Sequence, residues 1–201
     1  MVTLHMPLPI WQQLRCYVET SLPNEVTGAG VAEMVDPENA QVIELYLPKQ
    51  HVSSGYSEFG NGELGRITCK FFASYPPAAA GNLCFRWHSH GYGQVFWSSI
   101  DEADIDRWKG DYAFNLVTNA HGDTLTRLDY FRPYRAKNIP VRFTIDYPPL
   151  DSELMKQYQV EIKASLTQIV YPKDEHGVRS KTSSKGGDKL DTRLFGPNEI
   201  F

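Results

Sequence analysis

No apolar run in this 201-residue chain approaches the ~20 residues that a membrane-spanning helix requires. Nor is there an excess of positive charge. Twenty Lys and Arg stand against 24 Asp and Glu, for a formal net charge of -4. A nucleic-acid binder needs a basic face to neutralise phosphates, and no basic stripe is present. Neither a membrane nor a nucleic acid is therefore expected as a partner. Cysteine is scarce, with three residues at wide spacings and no CxxC pair. Cys16 and Cys69 fall in predicted helices and Cys84 in a predicted strand, so all three read as small buried residues in a reducing, cytoplasmic setting. The N-terminal MVTLHMPLPIWQQLR has no basic start followed by an apolar run, so export is not expected. What is abundant is core material: 41% of residues are hydrophobic and 12% aromatic, enough for one folded domain and a tail.

The order of elements predicts an α/β fold, with a mixed sheet sandwiched by helices. IWQQLRCYVETSL places Ile10, Leu14, Tyr17 and Val18 at helical spacing and stops at Pro23-Asn24. EVTGAGVAEMV and QVIELYLP read as two paired strands. Gln50 to Gly62 is polar and glycine-punctuated, a predicted loop. A helix follows with Leu64, Ile67, Phe71 and Phe72 on one face. NLCFRWHSH is the next strand, with Leu83, Phe85 and Trp87 on one side and Cys84, Arg86, His88 and His90 on the other. SSIDEADIDRWK is a short helix whose apolar residues are Ile100, Ile105 and Trp108. Residues 112–133 form a predicted hairpin turned at 120–122, and IPVRFTIDYP a single strand. Residues 151–171 form the longest predicted helix, with a stripe of Leu154, Tyr158, Ile162, Leu166 and Ile169. Beyond 172 the composition turns polar, predicting a flexible linker that ends in a short apolar segment, LFGPNEIF.

One stretch, WHSHGYGQVFWSSIDEAD, carries chemistry. Residues i and i+2 of a strand share a face, so His88 and His90 project side by side. Two imidazoles so held suit one zinc ion, and a catalytic zinc typically takes three protein ligands and keeps a fourth position for water. Asp101, in the first turn of the following helix, is the best third ligand. Each half also has a plain structural reading. Ser98 and Asp101 fit an S-x-x-D capping box, and His-x-His pairs occur on strands by chance. Ser99 and Glu102 offer a second capping box that would free the first pair.

H-S-H followed by seven residues and then S-x-x-D resembles the JAMM motif of the MPN/JAB-domain metalloproteases. That motif has a further member upstream, a glutamate opening the first strand after the first helix, and Glu25 matches it. The resemblance covers about residues 8 to 170, and VFWS after the histidines is similar to a prokaryotic subset. Gly91 departs from it, because the family often has proline there. The resemblance implies an MPN (JAB-like) fold over residues 1–171, with 172–201 as linker and tail. It implies zinc held by His88, His90 and Asp101, Glu25 as general base and Ser98 as oxyanion donor. It further implies cleavage at the C-terminal tail of a ubiquitin-like protein, either from a conjugate or from a precursor, with activating and conjugating enzymes as associated partners.

Two other classes stay open: a non-catalytic MPN scaffold, and a zinc hydrolase of a small amide. Glu19 and Glu33 compete with Glu25 for the base role. His5, His51, His121 and His176 read as solvated, His51 least securely because its loop borders the predicted cleft. Arg86 shares the histidines' face and suits either a substrate carbonyl or carboxylate or an acidic partner. Tyr92 and Trp97 read first as packing and second as cleft lining.

Overall fold

The computed structural model describes residues 1–146 and 152–168. The linker and apolar segment expected over 172–201 lie outside the described residues, as does Ile169 of the predicted helical stripe.

The chain opens with a strand that the sequence reading lacked, β1 (Thr3–Pro7), whose alternation buries Leu4 and Met6. Helix α1 (Leu8–Ser21) starts ahead of the predicted Ile10. A proline in the first turn removes an N–H that would have no partner there. Strands β2 (Thr27–Asp36) and β3 (Asn39–Tyr46) pair antiparallel, as expected. The predicted loop at 50–62 is instead largely a hairpin, β4 (Gln50–Ser53) and β5 (Tyr56–Phe59). Its turn is the two-residue connection Ser54-Gly55.

Helix α2 (Glu63–Ser74) buries the ridge Glu63, Ile67 and Phe71. Phe72 is 45% exposed and Cys69 is exposed, correcting both expectations. The ridge that meets the sheet is the i, i+4 row, and Cys69 lies about 200° around the helix from Ile67. Strand β6 (Phe85–Ser89), helix α3 (Ser99–Asp106) and the hairpin β7 (Tyr112–Thr118) and β8 (Thr124–Tyr130) follow the predicted order. On α3 Ile105 is buried while Ile100 is 52% exposed.

The strand expected over 139–148 is two strands, β9 (Ala136–Pro140) and β10 (Arg142–Asp146), on either side of Val141. Pro140 has no N–H to continue a ladder. The Val141 carbonyl accepts the Thr126 hydroxyl at 3.0 Å, and the next N–H, of Arg142, donates to Val2 at 3.0 Å. The last predicted helix is cut short: α4 (Ser152–Ser165) gives way to β11 (Leu166–Gln168), which pairs with β4.

The main sheet is mixed and eight-stranded, in the order β10-β1-β3-β2-β6-β7-β8-β9. Consecutive strands β9 and β10 sit at its two ends, so the sheet curls to bring those ends within one residue of each other. Helices flank it. Leu14, Tyr17 and Val18 of α1 and Ile162 of α4 share one apolar cluster with Phe85, Trp87, Phe114 and Leu116. Ile67 and Phe71 of α2 share another with Ala29, Val31 and Tyr46. A three-stranded sheet, β11-β4-β5, lies apart.

Candidate metal centre

The centre is built where β6 runs beside the start of β2, with Thr27 opposite His88 and Gly28 opposite Trp87. Trp87 fills the space that a side chain at 28 would need, since a Cβ there would stand 2.3 Å from its ring. The indole N–H donates to Ala29 at 3.2 Å. With Trp87 fixed in the core, strand alternation turns Arg86 and His88 to the other face. The alternation does not extend back through residue 84. Cys84 packs in the α1 cluster and Leu83 with α2, because both precede the strand. His90 lies just past β6, and its N–H is held by the Thr118 carbonyl at 2.9 Å.

After His90 the chain must turn sharply. Gly91 has φ +50°, and a Cβ there would lie 2.9 Å from the Pro23 carbonyl. Proline, fixed near φ −65°, does not fit this backbone. Asn119 pins the turn, donating to the Gly93 carbonyl at 2.9 Å, while the Gly91 carbonyl accepts from Ala120 at 2.7 Å. The loop then returns to α3, whose cap is Ser98. The Ser98 hydroxyl accepts from the Asp101 N–H at 3.2 Å, and the Asp101 Oδ2 accepts from the Ser98 N–H at 2.7 Å. The capping box is thus the Ser98–Asp101 pair, and the alternative at Ser99 and Glu102 does not form. Glu102 instead holds Arg127.

The same cap presents Asp101 to the histidines. His88 Nε2 lies 3.2 Å from Asp101 Oδ1 and 3.2 Å from His90 Nε2, and His90 Nε2 lies 3.7 Å from Asp101 Oδ2. Ligand atoms around a tetrahedral ion with bonds of 2.0–2.1 Å stand roughly 3.3 Å apart. His88, His90 and Asp101 are therefore close enough together to hold one metal ion. The outer contacts favour it too. His90 Nδ1 bonds the Gln94 carbonyl at 2.9 Å, which leaves Nε2 as the lone-pair nitrogen. Burial pushes the His88 imidazole below its ordinary pKa and so favours the neutral ligand form, despite the Asp101 carboxylate beside it. On His90, burial is outweighed by bonds to Asp101 and Gln94, and its pKa is raised. On Asp101, burial is outweighed by His88, then His90, and the carboxyl is held far below the usual range.

Glu25, Ser98 and the three ligand residues line one cavity of about 510 Å³. Burial pushes the Glu25 carboxyl up to about 7, with His90 lowering and Asp101 raising it. Glu19 is exposed and bound to Arg15, and Glu33 is exposed on β2, so neither reaches the cavity. His51 is exposed on β4 and also lies outside it; His121 is exposed, and His5 meets Asp146 and Asn39 instead. His176 is outside the described residues. Trp97 both lines the cavity and packs, 5.8 Å from the His88 ring and under Arg127 at 4.7 Å. Tyr92 lines it while 63% exposed.

The sequence reading missed three contributors. Phe96 stands edge-on to His90 at 4.8 Å. The Ser54-Gly55 turn forms part of the wall. Gln50 ties the start of β2 to the hairpin, accepting from the Thr27 N–H at 2.9 Å and donating to its carbonyl at 3.0 Å. The only signal for the hairpin was the S-G pair between alternating flanks.

No family model matches the chain. No curated protein matches it either. Among solved structures it is similar to the solution structure of protein DSY2949 from Desulfitobacterium hafniense, at 10% identity and a TM-score of 0.45. That alignment covers 72% of this chain and 94% of the other. A likeness that distant bears on neither fold nor function, and the site stands on its own geometry.

Proposed function

We propose that this cavity is the active site of a zinc-dependent peptidase or isopeptidase of the JAMM type on an MPN fold. Its substrate is the C-terminal tail of a ubiquitin-like protein, in a conjugate or a precursor. The observation that carries the reading is the convergence of Glu25 with His88, His90, Ser98 and Asp101 in one cavity. Each had a plain structural reading alone, and residue 25 has no local reason to lie beside residue 101.

A bound zinc would supply Lewis acidity and a water of lowered pKa. The chain's own residues do the rest. A Glu25 carboxyl raised by burial accepts a proton near neutral pH and returns it to the leaving amine. The Ser98 hydroxyl accepts from the Asp101 N–H, so its own proton is free to meet a developing oxyanion. Edge strand β5 and its turn border the cavity, where an extended tail can add as a strand. The setting consistent with this reading is the cytoplasm, alongside the modifier's activating and conjugating enzymes.

Incubation with a panel of ubiquitin-like fusions, together with zinc analysis, tests the reading. Wild type should carry about one zinc per chain and cleave at the modifier's tail. Glu25→Ala should keep the metal and lose about 100-fold or more in rate. Equal cleavage by both proteins would remove Glu25 from catalysis. Under one zinc per two chains, with no fusion cleaved, would leave the scaffold reading.

A further inference from the structure

We infer that Arg86 is a specificity-determining residue of this cavity, which receives a free carboxylate on the leaving-group side of the scissile bond. The inference deepens the peptidase reading and rests on it for the direction of the substrate chain.

Arg86 shares a strand face with His88 and lines the same cavity, about 7 Å further along β6. Its Nη1 is shut off from solvent and has no hydrogen-bond partner. Among the described residues the guanidinium enters no ion pair, and it lies over the Trp108 ring at 5.8 Å. Three acids reach it only through space, Asp104, Asp101 and Asp129. Each has other partners. Asp101 serves Ser98 and the histidines. Asp129 accepts from Arg127, Asn115 and the Asn138 N–H, each at 2.8 Å. Asp104 pairs with Arg107 at 3.1 Å. Arg86 is half-buried, and a buried guanidinium N–H without a hydrogen-bonded partner is rare enough in a folded protein to need an explanation, of which a ligand is one. Its rigid fork matches a carboxylate with two parallel bonds.

The shape of the cavity says where that carboxylate belongs. Asn115, opposite Arg86 in the register of β6 and β7, is 2% exposed, whereas Tyr92 and Phe96 of the same cavity are 63% and 53% exposed. Arg86 therefore stands beside buried wall and away from the most exposed lining residues, a setting that suits a short group. A main-chain carboxylate occurs only at a C-terminus, on the amine side of any cleaved peptide bond. One extended residue spans about 3.5 Å, so its carboxylate reaches from the metal toward Arg86. The favoured reaction is hydrolysis of the last peptide bond: water adds to the acyl carbon, and a free amino acid leaves with the proton. This favours trimming a precursor over releasing a lysine conjugate.

Two measurements test this. Metal-free protein is titrated with N-acetylglycine and with N-acetylglycinamide by NMR, so that the carboxylate has no metal to ligate. The acid should bind about 10-fold or more tightly, perturbing Trp108, and the preference should vanish in Arg86→Gln and survive in part in Arg86→Lys. Equal binding of the two probes to wild type overturns the inference, whether or not the glutamine variant folds. The zinc-loaded enzyme is then given a fusion ending in one extra residue, as the acid and as the amide. The acid should show about 100-fold higher kcat/KM. Equal cleavage of acid and amide defeats the role of Arg86 and leaves the peptidase reading intact. Acid-selective binding with no fusion cleaved defeats the peptidase reading and leaves the carboxylate site.

Discussion

At the scale of single residues, Asp101 answers to two neighbours at once. Oδ2 closes the cap on Ser98 while Oδ1 faces His88, so one carboxylate serves as helix cap and as candidate metal ligand. The cap fixes the carboxylate's direction before any metal arrives. Asp101→Asn keeps an acceptor for the Ser98 N–H but loses the charge. It should melt below wild type at neutral pH in metal-free form, because the carboxylate's contacts with His88 and His90 are lost, while zinc affinity falls at least about 100-fold. Asp101→Ala should lose the same affinity and about 1 kcal/mol more stability. Zinc titration with thermal melts of both variants checks this, and an alanine variant as stable as the asparagine one would separate cap from ligand. The grouping of His88, His90 and Asp101 was legible in the sequence because strand and cap periodicities are local rules. The isolation of Arg86 was not. It depends on Asp129, distant in sequence, being bound already by Arg127 and Asn115.

At the scale of elements, the loop from β6 to α3 decides whether the histidines and Asp101 meet. Gly91 carries the sharp turn, at φ +50° against the Pro23 carbonyl. Replacing it with the proline common in the resembling family should therefore harm this protein. Gly91→Pro is expected to cost at least about 2 kcal/mol and to weaken zinc binding through the adjacent His90. An unchanged melting temperature would show that the loop readily adopts another course. The helices and the central hairpin were legible from apolar spacing, because each meets its core along a regular stripe. Strands β1, β4, β5 and β11 were not. They are three to five residues long, too short for periodicity to distinguish them from loops. The pairing partners that stabilise them come from elsewhere in the chain.

At the scale of the whole molecule, the buried acid Glu25 works against the fold. The Glu25 carboxyl titrates near 7 in the metal-free structure, against an ordinary value of 4.5. Between those values the folded state binds more protons than the unfolded one, so global stability falls as pH rises through the window. Glu25→Gln has no charge to bury and should melt higher than wild type at pH 8, by about 1–2 kcal/mol after allowance for solvent screening, and about equally at pH 4. Melts of the two metal-free proteins across pH check it; parallel curves would remove the strain from Glu25. The sequence by itself determined the helices, the main strands and the residues of the candidate metal centre, since these follow from side-chain type and spacing along a few turns or pleats. Only the tertiary structure decided that the sheet curls until β9 and β10 occupy its opposite ends, that a short hairpin walls the cavity, and that Arg86 Nη1 is left without a hydrogen-bonded partner among the described residues. Those outcomes depend on which distant segments compete for the same hydrogen bonds and space, and spacing along a chain does not record that competition.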